Sequence, residues 1–374
     1  MVCIAAFIVL LLISVPILGL SIIGKFNERV KRFTTPFWKM FKKAWYCVGR
    51  RVTFRACDSS FKDDIKNSVL SRLILKHKKW VKPVSAAIEI AAVLVVVVAI
   101  WSLIEVGKAG LSLYVFGTCN VVQPEACILG EGEVCSTEET TNRNPFIGWF
   151  EEWGDLFTAL PARIKTWDAA EYKPENASFF RSIEGNPVAA DIFDPGCINC
   201  LKSFNNQLNS GFFDRYNAYL IPYPIKSNEH EDGYRFPNSY LISSYIMATR
   251  EFHAEKIYDS MYFGHGLTPE WYIVYKLFTE KDAELDLDYQ SAFNGAKGLT
   301  STPYSAEKAE NTLREWLETW YFEETLNKIT AKAHSEEIRD RIHANHELVD
   351  NTIRAKGIPT TIYDGKRHIG VWRS

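Results

Sequence analysis

The chain has 374 residues, 24% of them charged, with a net charge of −2 and eight cysteines. That length leaves room for about two domains, and the balanced charge excludes a chain that is polybasic as a whole. The balance is uneven, however: residues 25–82 hold 17 Lys and Arg against 4 Asp and Glu, which leaves 26 basic and 41 acidic residues elsewhere.

The split predicts that the chain lies on two sides of a membrane. Residues 2–23 carry no charge over 22 positions, enough to span a hydrocarbon core of about 30 Å. Residues 84–106, dense in Val, Ala and Ile, read as a second span, with Glu89 near its start and Glu105 at its edge. By the positive-inside rule the basic loop 24–83 lies in the cytoplasm. The N-terminus and everything after the second span are then extracytoplasmic, in a two-pass cell-membrane protein facing a periplasm or its equivalent. Within the loop, Phe37, Phe41, Trp45 and Tyr46 are interleaved with Lys39, Lys42, Lys43, Arg50 and Arg51. That mixture reads as an interfacial helix held to the lipid bilayer rather than as a nucleic-acid site.

Residues 107–180 read as a linker followed by an aromatic helix. Cys119, Cys127 and Cys135 recur every eight residues in a stretch rich in Gly, Glu and Thr, without a core of its own. One reading is a loop disulfide with a leftover thiol; the other is a relay in which one of the three exchanges with Cys197. From Phe146 to Trp167 aromatic and aliphatic residues recur at three and four, which predicts an amphipathic helix broken at Pro161, packed either on a membrane surface or on the catalytic domain.

The chemistry is concentrated further on. A short apolar run, 188–193, ends in Asp194-Pro195-Gly196, then Cys197-Ile198-Asn199-Cys200, then Leu201, Phe204, Leu208 and Phe212 at helical spacing. This predicts strand, turn and helix, with Cys197 at the helix N-terminus. Unpaired N–H groups and the helix dipole there favour a thiolate, the attacking species in disulfide exchange. Cys200, one turn on, would attack back, so the pair would cycle between dithiol and disulfide. Residues 216–225 read as the next strand, and the prolines Pro222 and Pro224 put its far end at an edge or outside the sheet. About 120 residues without a strand pattern follow, with helices over 240–253, 271–280 and 306–355 and a loop over 295–303. His343 and His346 are three apart on the last helix, but charged neighbours make that a solvated polar face, and no metal is proposed. At the end, Gly357-Ile358-Pro359-Thr360 leads to a β-hairpin turning at Asp364-Gly365.

Residues 187–226 and 357–372 together resemble the thioredoxin fold, most closely its DsbA-type thiol oxidoreductase branch. The resemblance implies an α/β, thioredoxin-like fold over 181–374 with a large helical insertion at about 235–355, here preceded by two transmembrane helices. It also implies that Asp191, six residues before Cys197, moves protons for a buried Cys200. Pro359 would be cis and sit beside the disulfide, with Ile358 pairing its backbone to an extended substrate. Ile198 and Asn199 are neither the Pro-His of DsbA-type oxidases nor the Gly-Pro of thioredoxins. The function expected is a membrane-anchored extracytoplasmic thiol–disulfide oxidoreductase acting on cysteine-containing exported proteins, the oxidising direction favoured over the reducing one. It would use an unidentified redox partner and no metal or organic cofactor. The alternative is a thioredoxin-like adaptor or assembly protein of an envelope complex, with a secondary or structural disulfide.

Overall fold

The computed structural model describes residues 81–118, 134–137, 145–227, 233–256, 267–295 and 304–373. The chain divides into two compact units, Met1–Gly107 and Lys108–Ser374. Of the first, only helical residues of α1 (Val81–Phe116) are described.

The two predicted membrane-spanning helices are not upheld. Residues 2–23 and the interfacial helix of the basic loop lie outside the described residues. Residues 84–106 are helical, but they form part of the 36-residue α1, whose sequence carries Glu89, Glu105 and Lys108 and whose last turns are committed to the second unit, with Val115 and Phe116 buried there. Among the described residues no helix is long and apolar enough to cross a membrane. The two-pass placement, with the N-terminus and C-terminal domain extracytoplasmic, loses its basis with the spans.

A two-residue strand, β1 (Cys135–Ser136), precedes α2 (Pro145–Ile164). The latter is not broken at Pro161, which lies in its last turn and accepts from Lys165 N–H at 2.9 Å. One face of α2, with Leu156, Ala159 and Leu160, packs on Leu111, Val115 and Phe116 of α1. Ile147, Phe150, Phe157 and Ile164 stay exposed.

The sheet follows from two largely apolar runs, interrupted by Asp191 in the first and opened by Asn217 in the second. β2 (Val188–Phe193) and β3 (Asn217–Pro222) are buried almost throughout, as parallel neighbours covered on both faces must be. They are joined by α3 (Ile198–Asn209) and the short α4 (Phe212–Arg215). On α3 the buried residues are Cys200, Ser203, Phe204 and Gln207, the spacing of one helical face. Then come α5 (Ser239–Thr249), α6 (Pro269–Thr279), the small β4–β5 hairpin (Lys281–Asp282, Leu287–Asp288) and α7 (Tyr289–Asn294). They are followed by α8 (Ala306–Leu317), α9 (Glu323–Ala333), α10 (Glu336–Glu347) and a π-helical turn, Leu348–Ile353. The single helical stretch expected over 306–355 is thus three helices: Ser305 and Ser335 cap α8 and α10, as N-cap serines do, and the β4–β5 hairpin was not foreseen.

The chain closes with β6 (Gly357–Ile358), β7 (Thr360–Tyr363) and β8 (Lys366–Ile369). The main sheet has the order β3-β2-β7-β8. β2 and β3 are parallel, while β7 runs antiparallel to both β2 and β8. The expected hairpin turn is present at Asp364 and Gly365, both at positive φ (49° and 72°), the conformation an Asp-Gly hairpin requires. β3 is an edge strand that ends at Pro222, as its prolines predict. A βαβ unit followed by a closing hairpin in this strand order is a thioredoxin-like fold.

Polar groups tie the helices to this core. Glu270 and Arg250 form a buried ion pair of 2.5 Å, and Glu270 also accepts from Ser178 N–H at 2.5 Å. Arg367 is buried and, among the described residues, has no acidic partner; it donates to the carbonyls of Val115 at 3.0 Å and Arg354 at 2.8 Å and to that of Ile353. It thereby satisfies carbonyls that helix ends leave open, and burial pushes its pKa down to about 10.

Candidate active site

The site starts from the turn between β2 and α3. Asp194 is fully buried there and collects three donors: Gly196 N–H at 2.7 Å, Ile225 N–H at 2.6 Å and the Ser239 hydroxyl. One carboxylate thus fixes the turn, the segment after β3 and the start of α5. The Gly196 carbonyl accepts from Gln290 Nε2 on α7 at 2.5 Å. That helix is capped by Asp288, which accepts from Ser291 N–H at 2.7 Å. Asp288→Ala is expected to cost about 1 kcal/mol in urea unfolding, with most of the loss restored in Asp288→Asn.

Cys197 is the N-cap of α3, in extended backbone conformation, and its side chain makes no capping bond. Cys200 follows one turn later as a buried free thiol, accepting from Asp194 N–H at 3.4 Å. Burial raises the Cys200 pKa well above its ordinary value; the nearby Asp194 and Asp191 charges raise it further, and the Asp194 N–H opposes them. Asp191 is buried on β2 and accepts from Thr361 Oγ1 at 2.9 Å. Burial pushes its pKa up to about 6, against the hydrogen bonds from Thr361 and Gln207. Asp194 is likewise pushed up to about 6 by burial.

The Ile358–Pro359 peptide is cis, and the Ile358 carbonyl oxygen is 3.7 Å from Cys197 Sγ. The structure therefore brings Asp191, Cys197, Cys200, Ile358 and Pro359 around one turn. The bond present is not Cys197–Cys200: the disulfide joins Cys197 to Cys135, 62 residues away, one of the three cysteines considered as exchange partners of Cys197.

That bond comes with a docked strand. β1 pairs antiparallel with β6, Cys135 opposite Ile358 and Ser136 opposite Gly357. Thr137 N–H donates to Lys356 O at 3.3 Å and Arg235 donates to Ser136 O at 2.7 Å. Val134 lies over Gly357, where an added Cβ would come within 3.1 Å of it. Asn199 Nδ2 is 3.9 Å from Cys135 Sγ. The edge foreseen for a substrate strand thus carries a segment of the chain itself. Cys119 and Cys127 lie outside the described residues.

Sequence reasoning missed Asp194, Arg235, Gln290 and Thr361. Only Asp194 left a local signal, an acid next to the Pro-Gly turn; the others converge from distant segments. It also misread His346. Ile342, Asn345, His346 and Val349 form the buried stripe of the last helical segment while His343 stays exposed. His346 bonds Pro224 O at 2.8 Å, and burial lowers its pKa to about 4. Among the described residues no group of three or more His, Cys, Asp and Glu could hold a metal ion.

No protein-family model matches this chain, and no curated protein matches it. Among solved structures it is similar to Proteus mirabilis ScsC in a transitional conformation. There the identity is 10%, the TM-score 0.34, and the match covers 61% of this chain and 86% of the other. The fold assignment rests on the strand order and register described above.

Proposed function

We propose that the chain is a protein thiol–disulfide oxidoreductase in which Cys197 exchanges disulfides with cysteine-bearing polypeptides. The observation that carries this reading is the docked strand. An extended segment pairs with Ile358 beside the cis proline, and that register delivers its cysteine sulfur to Cys197. Backbone pairing of this kind supplies affinity for extended peptides without fixing their sequence.

In the proposed cycle the Cys197 thiolate attacks a substrate disulfide, one substrate sulfur leaves as a thiolate, and the other stays bonded to Cys197 as a mixed disulfide. The Cys200 thiolate then attacks Cys197 Sγ, the substrate sulfur leaves as a thiolate, and Cys197–Cys200 becomes the disulfide. Asp191, protonated at acid pH and ionised above about pH 6, takes and returns the Cys200 proton, a role suited to a group that titrates near neutrality. In this direction the substrate is reduced and Cys197–Cys200 oxidised; run in reverse, with a substrate thiolate attacking Cys197 Sγ of the Cys197–Cys200 disulfide and Cys200 leaving with a proton returned by Asp191, the same steps donate the disulfide.

The test uses the full chain as Cys135→Ser/Cys200→Ala, which leaves Cys197 uncapped and unresolved. It is mixed with a short peptide whose single cysteine is a mixed disulfide with thionitrobenzoate. The expected result is release of thionitrobenzoate and a stable peptide adduct mapping to Cys197, absent when Cys197 is also Ser. Reaction no faster than that of free cysteine would overturn the reading and leave an adaptor. Equilibration of the Cys135→Ser chain with glutathione buffers reads the direction: a Cys197–Cys200 potential above about −200 mV marks a disulfide donor, one near −270 mV a reductant.

A further inference from the structure

We infer that Cys135 is a third redox residue of the site, and that the segment Val134–Thr137 is a built-in substrate strand capping Cys197 until Cys200 displaces it. This rests on the reading of Cys197 and Cys200 as an exchange pair, and adds a regulated internal step to it.

Three independent features separate this arrangement from an incidental cross-link. First, the strand occupies the edge at which an incoming polypeptide would pair, in antiparallel register with Gly357 and Ile358. Second, it is held from both sides: by Lys356 O and Ala355 O, which accept from the Thr137 N–H and hydroxyl at 3.3 and 3.4 Å, and by Arg235 on Ser136 O. Third, the sulfur that would displace it is present and reduced. Cys200 sits one turn from Cys197 as a free thiol, with the charges of Asp191 and Asp194 reaching it. A purely structural cross-link has no use for a third sulfur at that position.

The step balances within the chain. Cys200 gives its proton to a buried carboxylate and its sulfur attacks Cys197 Sγ. The Cys135–Cys197 bond breaks, the Cys197–Cys200 bond forms, and Cys135 leaves as a thiolate that takes a proton from water. One disulfide and one thiol are present before and after, so no oxidant is consumed. The Asn199 amide, 3.9 Å from Cys135 Sγ, lies where charge develops on the leaving sulfur. Once Cys135 has left, β1 is held by hydrogen bonds and by the packing of the buried Val134 over Gly357 but no longer by a covalent bond, and the groove becomes available to another polypeptide. The capped state stores the disulfide in a form a substrate cannot reach, since Cys197 is fully buried beneath the strand.

Because the cap is part of the chain, it competes with external peptides at an effective concentration on the order of millimolar. A micromolar peptide therefore meets an almost fully capped site. The experiment oxidises the full-length chain, quenches in acid, alkylates free thiols and maps disulfides by mass. The wild type is expected to hold both Cys135–Cys197 and Cys197–Cys200, in a ratio that shifts toward Cys197–Cys200 in Arg235→Ala, where the strand loses an anchor. Cys200→Ser should hold Cys135–Cys197 alone. Oxidised Cys135→Ser should transfer its disulfide to a micromolar peptide carrying two cysteine thiols about tenfold faster than oxidised wild type or more. The cap is overturned if wild type shows only one of the two disulfides at every redox poise and Cys135→Ser reacts at the wild-type rate. Equal, fast peptide reaction in both would sink the cap while leaving the exchange reading intact. Internal interchange with no peptide reaction in either would uphold the cap and sink the exchange reading.

Discussion

Gly196→Ala is expected to lower stability by about 2–3 kcal/mol and to slow exchange at the neighbouring Cys197. An added Cβ would stand 2.3 Å from Phe236 Cβ and 2.4 Å from its Cγ, distances no real contact reaches. These are the root of the phenylalanine side chain and not its mobile end, so a change of rotamer does not relieve the clash and backbone must move. The backbone available to move is the turn itself. It is held by Asp194 on Gly196 N–H and by Gln290 on the Gly196 carbonyl, so displacement sacrifices buried hydrogen bonds as well as packing. Thermal and urea unfolding read the stability, and thionitrobenzoate release in the Cys135→Ser background reads exchange. Phe236→Gly, which removes the opposing Cβ, should partly rescue Gly196→Ala while being destabilising alone. A strictly additive double variant would show that the two residues do not meet.

The clash also shows what was legible in the sequence. Strand, Pro-Gly turn and Cys-x-x-Cys helix are local, as is the Asp-Gly hairpin, because apolar periodicity and positive-φ turn chemistry act over a few residues. Asp191 and Pro359 were reached through a resemblance and then placed by the register of β2 on β7, where Asp191 faces Thr361. What stayed hidden is non-local. Nothing near Asp194 announces that Ser239 and the Ile225 N–H complete its shell, and equal spacing among Cys119, Cys127 and Cys135 gave no reason to choose the last as the partner of Cys197. His346 was misjudged because the charges around it in sequence occupy other faces of the helix. The second span was misjudged by reading 84–106 alone, although the same helix continues to Phe116 and is buried at its end.

Asp191→Asn is expected to make the folded chain more stable above about pH 7, by up to about 3 kcal/mol, while slowing release of the mixed disulfide. The stability half follows from linkage. Burial raises the Asp191 pKa from 3.8 to about 6, so the folded chain binds this proton more tightly than the unfolded one. The resulting stabilisation is complete below about pH 4 and is lost as pH rises through about 6. A shift of about two units corresponds to about 3 kcal/mol. An amide cannot ionise, and it can still accept from Thr361 Oγ1, so the variant escapes that loss. Urea midpoints of wild type and variant should therefore coincide near pH 4 and separate by pH 8. Asp194→Asn should behave differently, since an amide offers only one acceptor oxygen in place of the two that hold Gly196, Ile225 and Ser239. It should lose stability even at pH 4. The kinetic half sets two effects of the Asp191 charge against each other. By Coulomb repulsion it raises the Cys200 pKa, so its removal alone would increase the thiolate and speed release. As a proton acceptor it takes the Cys200 proton, so its removal slows release, by about 100-fold if it acts as a general base. Stopped-flow release of peptide from a Cys197 adduct near pH 7, in the Cys135→Ser background, separates the two by sign. Slower release in a more stable protein is what a proton carrier predicts, and faster release would reduce Asp191 to a charge that merely restrains Cys200.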